Sequence, residues 1–152
     1  MRIVLQRVSR GAVSVDGETV ASIGCGVVLL VGFTHDDNED LFAHMADKIV
    51  NLRIFADEDG KMNRSLRDTA GELIVVPQFT LYGSTKKGRR PSFARAALPK
   101  DAAEMFALFV GALQGTGVPV QTGVFGAHME VDLINDGPVT FILDLASPAQ
   151  SG

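Results

Sequence analysis

Residues 26–33, GVVLLVGF, decide the fold of this chain. An unbroken apolar run of this length and valine content, with glycine at its edges, reads as a β-strand buried on both faces. A helix is expected next. Leu41, Met45, Ile49 and Leu52 are spaced 4, 4 and 3 apart, which places them on one helical face. Asp36, Asp37, Glu39 and Asp40 stand before it, where negative charge suits the positive end of the helix dipole.

On the N-terminal side of the run, Val13 and Val15 alternate with Ser14 and Asp16. Asp16-Gly17 then offers the positive-φ turn of a tight hairpin, and residues 20–23 return. On the C-terminal side, residues 53–55 suggest a short strand and residues 57–60, DEDG, a surface turn. A second helix is predicted from near Asp101, with Asp101 and Glu104 as a capping box. Its apolar stripe is Phe106, Phe109, Val110 and Leu113, and Gly115 and Gly117 end it. Strands are expected again at residues 118–122, 128–134 and 139–143. Residues 146–152 are small and polar and read as a frayed tail. Strands on both sides of two helices point to one mixed α/β or α+β domain.

Composition narrows the function classes. At 152 residues the chain is long enough for one domain with a real core, and 46% hydrophobic residues is too many for disorder. A net charge of −4 argues against a surface that coats nucleic acid along its whole extent, yet permits a local basic site. The single cysteine, Cys25, rules out an intrachain disulfide and a cysteine-based zinc site. His35, His44 and His128 lack close metal-ligand spacing. No cofactor and no metal are expected. The N-terminus has no signal-peptide pattern and no run reaches transmembrane length, so a cytoplasmic setting is expected.

The chemistry-bearing residues gather in residues 73–93. Leu73 to Val76 form an apolar strand, followed by Pro77, Gln78, Phe79 and Thr80. Gln78 and Thr80 are two apart, so on a strand they face one way. That face is either a pocket wall or simply solvated. Lys86, Lys87, Arg89 and Arg90 follow, with Gly88 among them. They read as a phosphate clamp or as a solvated loop. Residues 135–140, NDGPVT, read as a turn between two strands, and the isomer at Gly137-Pro138 is not legible from sequence. There is no G-x-S-x-G elbow, no Walker motif and no dinucleotide fingerprint. The His35-Asp36 pair is a poor imitation of a triad.

Taken together, MRIVLQRVSRGAVSVDGE, VGFTHDD, NLRIFADEDGKMN, PQFTLYGSTKKGRRPSF and TGVFGAHMEVDLINDGPVTF resemble the D-aminoacyl-tRNA deacylases from Met1 to about Leu145. The resemblance implies a single β-rich α/β domain over residues 1–145, with a barrel-like sheet and two main helices, assembled as a homodimer. It implies hydrolysis of the ester of D-aminoacyl-tRNA, with cleavage of glycyl-tRNA as a side activity. Family active sites lie at the subunit interface, where a cis Gly-Pro pair, here Gly137-Pro138, reaches into the partner's pocket. Arg7 matches the arginine that steadies this loop, and Phe125 and Met129 match pocket positions. The family's strand motif falls on Pro77, Gln78, Phe79 and Thr80. Main-chain N–H groups near Phe79 and Thr80 are implied as oxyanion donors, and the basic loop as a tRNA contact. Pro77 departs from the family's serine. An animal branch acting on mischarged L-alanyl-tRNA also has proline there, and a non-catalytic tRNA-binding module or a plain interaction domain are further alternatives.

Overall fold

The computed structural model describes residues 1–146. The tail expected to fray lies outside the described residues except for Ala146. The first strand, β1 (Arg2–Val15), is the hub of the sheet. It reverses at Asp16 and Gly17, with φ of 50° and 80°, into β2 (Glu18–Ile23). Two successive positive-φ residues are what a two-residue hairpin demands.

The decisive run forms β3 (Gly26–Gly32), antiparallel to the first half of β1. A Cβ at Gly26 would lie 1.9 Å from the carbonyl oxygen of Glu72, so only glycine allows the next strand to start alongside. That neighbour is β6 (Glu72–Pro77), parallel to β3, and β7 (Val120–Thr122) lies parallel to β6. The side-chain amide of Gln121 on β7 both accepts from Ser22 N and donates to Ser22 O on β2, each at 2.8 Å. It ties the two ends of the sheet into a nearly closed barrel. The opposite edge of β1 carries β8 (Glu130–Asp144) along its whole length.

Two cores result. Val27, Leu29 and Val31 of β3 face α1 (Glu39–Asn51) and α2 (Pro99–Gln114), where Phe33, Phe42 and Phe109 meet edge-on at 5.6–6.4 Å. Val28 faces the barrel interior with Val8, Val13, Ile23, Ile74 and Val76. β3 is therefore buried on both faces, as its composition predicts. No helix among the described residues is long and apolar enough to cross a membrane.

Several local expectations are corrected. α1 is capped by Asn38, whose Oδ1 accepts from Leu41 N at 3.0 Å. Glu39 and Asp40 occupy its first turn, but Asp37 is buried and binds the Met1 ammonium at 2.7 Å and Thr34 N at 2.9 Å. The capping box does not form. Pro99 starts α2 two residues before Asp101, because proline fits the first helical turn where no N–H is needed, and Leu98 is the cap. The short strand after α1 is β4 (Phe55–Ala56), paired with β5 (Met62–Arg64) around the expected turn. Asp57 organises that turn, accepting from Asn63, Lys61 N and Asp59 N. These bonds hold its carboxyl below the usual range.

The two last expected strands are one. β8 keeps its direction through residues 135–140, with Asn135 opposite Val8 and Thr140 opposite Gln6. Five steps along β8 match two along β1, so the excess residues bulge outward instead of reversing the chain.

Candidate active site

A cavity of about 570 Å³ opens where β6 ends. Pro77, Gln78 and Phe79 form one wall. Phe125, His128 and Met129, from the stretch between β7 and β8, form another, and Phe93 and Ala96 to Pro99 contribute at the rim. Val31 of β3 and Phe33 just past its end supply the floor. The Met129 sulfur accepts from Val124 N at 3.4 Å and lies over Gly123, where a Cβ would stand 2.6 Å from it. A bulkier residue at 123 would push Met129 away from its seat near Pro77.

The wall at Gln78 is not a strand, which corrects the sequence reading. The parallel ladder with β3 runs one residue past Pro77 and ends there, with Gln78 N bonded to Val31 O at 2.8 Å as its last link. The chain then folds into a 3-10 turn, Phe79–Tyr82. Gln78 and Thr80 still meet, because the turn brings the Gln78 amide to donate to the Thr80 hydroxyl. The first N–H groups of such a turn have no acceptor within it. Thr80 is not itself a lining residue.

Phe79 is 58% exposed and packs edge-on against Phe93 at 5.0 Å, while Phe125 leans on Phe106 at 6.1 Å. Ser84 and Ser92 exchange main-chain bonds of 2.7 and 2.9 Å and close the neck of the basic loop. Lys86, Lys87, Arg89 and Arg90 stand exposed at its tip, where Gly88 has φ 65°. The loop thus returns directly to Phe93 at the cavity. Tyr82 ends the 3-10 turn. Its hydroxyl is pushed above the usual tyrosine value by burial, with Asp37 and Asp144 adding to the effect.

Arg7, Gly137 and Pro138 are not part of this cavity. Gly137-Pro138 is a cis bond at the crest of the β8 bulge. Arg7 Nε donates to Asp136 O at 2.9 Å, and its Nη1 donates to Ile54 O at 2.7 Å. Asn135 grips the other side. Its Oδ1 accepts from Val139 N at 2.7 Å and its Nδ2 donates to Thr140 Oγ1 at 2.9 Å. The structure therefore brings Pro77, Gln78, Phe79, Phe125 and Met129 together and holds the Gly-Pro loop elsewhere on the same chain. Sequence pattern gives no signal for Phe93 and His128, because both sit in irregular backbone where hydrophobic periodicity has nothing to act on.

The model of the D-Tyr-tRNA(Tyr) deacylase family matches residues 4–144. The chain belongs to that family. Relatives named D-aminoacyl-tRNA deacylase include one from Thermomicrobium roseum, 57% identical over 146 residues that span 96% of this chain and 95% of the relative. Another, from Thermoanaerobacter pseudethanolicus, is 57% identical over 144 residues, 95% of this chain and 97% of its own. Among solved structures, one titled c-Myc DNA Unwinding Element Binding Protein superposes with a TM-score of 0.90 at 38% identity, covering 97% of this chain and all of that one.

Proposed function

We propose that this chain hydrolyses the ester of D-aminoacyl-tRNA, releasing the D-amino acid and free tRNA. The observation that carries the reading is the joining of Pro77, Gln78, Phe79, Phe125 and Met129 in one cavity beside the basic loop. Residues 1–145 act as the catalytic domain, and the substrate places the reaction in the cytoplasm. Lys86, Lys87, Arg89 and Arg90 meet phosphates of the tRNA end.

Water attacks the ester carbonyl, assisted by the 2′-hydroxyl of the terminal ribose. The bond from the carbonyl carbon to the ribose oxygen breaks, and that oxygen takes up the proton. Main-chain N–H groups at Phe79 and Thr80 stabilise the developing oxyanion. Gln78 and Thr80 position the turn through their mutual hydrogen bond. Among the described residues, His128 is the one ionisable side chain lining the cavity, and none there is arranged as a base next to a nucleophile.

Chiral selection falls to Gly137 and Pro138 of a second copy, steadied by Arg7. A wall of main-chain atoms occupies the space an L-side chain needs and accepts any D-side chain. Glycine has no side chain to clash, so glycyl-tRNA is cleaved as a side reaction. The exposed apolar residues of β8, Val131, Ile134, Phe141 and Ile142, support a homodimer.

Pro77 keeps a second reading in play, the hydrolysis of mischarged L-alanyl-tRNA. Hydrolysis of matched D- and L-tyrosyl-tRNA and L-alanyl-tRNA separates them. A hundredfold preference for the D-ester is expected, about 2.7 kcal/mol of barrier. Equal D and L rates overturn chiral proofreading, a preference for L-alanyl-tRNA selects the second reading, and tRNA binding without turnover leaves a binding module.

A further inference from the structure

Arg2, Gly32 and Asp144 form one row across three strands. Arg2 pairs with Gly32 on β3 and with Asp144 on β8. Directly paired residues project to the same side of a sheet. Because Gly32 has no side chain, this row contains a slot, and the 3-10 turn fills it. A Cβ at Gly32 would stand 3.0 Å from Gln78 O, 3.1 Å from Leu81 Cβ and 3.3 Å from Tyr82 Cδ2.

Arg2 closes the slot. Its Nη1 donates to Leu81 O at 2.9 Å, while Nε and Nη2 donate to Asp144 Oδ2 at 3.1 and 2.9 Å. Its guanidinium carbon lies 5.1 Å from the centre of the Tyr82 ring, and that of Arg95 lies 5.5 Å from it. One side chain thus joins the end of β8 to the last two residues of the turn that begins at Phe79. Asp144 is half-exposed, and an ion pair of that kind contributes little to stability on its own. A planar fork serving a carboxylate and a carbonyl while stacking on a ring is arginine geometry, which lysine does not reproduce.

We propose that Arg2 is a positioning residue that holds the Phe79–Tyr82 turn in register with the cavity, with Asp144 orienting it and Gly32 providing the seat. Its catalytic consequence rests on the deacylase reading, in which N–H groups of this turn face the developing oxyanion. Small displacements of such donors cost rate more than they cost substrate affinity.

The test compares the full-length wild type with Arg2→Met, which keeps a hydrocarbon stem, and Arg2→Lys, which keeps the charge. In Arg2→Met, kcat on D-tyrosyl-tRNA is expected to fall about tenfold or more with KM within about twofold. Arg2→Lys restores only part of that loss. Amide hydrogen exchange at Leu81 and Gly83, whose N–H groups bond Gln78 O and Thr80 O, speeds up while exchange in β3 stays unchanged. Unchanged exchange at these amides overturns the clamp whatever the activity. Faster exchange with unchanged kcat, or a change confined to KM, overturns its catalytic role. A wild type that does not cleave the D-ester defeats the deacylase reading, and the exchange comparison still decides whether Arg2 holds the turn.

Discussion

β3 and β8 flank β1 on its two edges, and both run antiparallel to it. Six of the seven residues of β3 are buried, whereas Val139 alone is buried among the fifteen of β8. Ile142 on β8 is 70% exposed. Pairing with the same strand therefore does not decide burial. β3 has helices on one face and the barrel interior on the other. On β8, Leu133 and Leu143 still lean on the cores, while Val131, Ile134, Phe141 and Ile142 stand exposed. The contrast separates a strand that builds the domain from one that leaves much of its apolar surface exposed, where the proposed second copy would dock.

Leu29→Ala breaks the comparison hardest. Leu29 is fully buried against the helices, and its truncation should cost about 2–5 kcal/mol in urea unfolding. A loss under about 1 kcal/mol would mean that β3 is not the strand on which the domain depends.

Asn135→Ala acts on β8 instead. It removes the bonds to Val139 N and Thr140 Oγ1 that hold the Gly-Pro bulge. The ratio of D- to L-tyrosyl-tRNA rates should fall about tenfold, near 1.4 kcal/mol. An unchanged ratio would remove the bulge from chiral selection.

Ile142→Glu sharpens the contrast with the smallest effect on the chain itself. The side chain is exposed, so chain stability should move by about 0.5 kcal/mol or less. Sedimentation should shift from dimer to monomer mass. A dimer that survives the buried charge would place the subunit contact away from this strand.

Much of this architecture is legible in the sequence. Residues 26–33 carry enough apolar density to require burial on both faces, and Leu41, Met45 and Ile49 keep helical spacing, so β3 and α1 follow from local chemistry. The hairpin at Asp16-Gly17 follows from the φ values its two residues tolerate. Legibility fails where backbone is irregular. Gln78 and Thr80 alternate like a strand, but the ladder ends at Gln78 and a 3-10 turn takes over. Residues 135–140 look like a reversal because Gly-Pro usually marks one, yet β1 remains paired on both sides of them. Asp37 looks like a helix-dipole residue, and its partner is an ammonium group 36 residues away in sequence.

Sequence by itself determined the family, the two helices, the doubly buried strand and the residues of the motif around Gln78. The helices and the strand depend on periodicity, composition and local turn chemistry, which each segment carries within itself, and the family and its motif rest on the resemblance of long stretches in order. Only the tertiary structure decided that Pro77, Phe93, Phe125 and Met129 share a cavity and that Arg7 and Asn135 grip a bulge lying outside it. It also decided that Arg2 reaches the Phe79–Tyr82 turn across an empty glycine position. Those relations join residues far apart in the chain, and they exist only once strand register has fixed which side chains stand opposite one another.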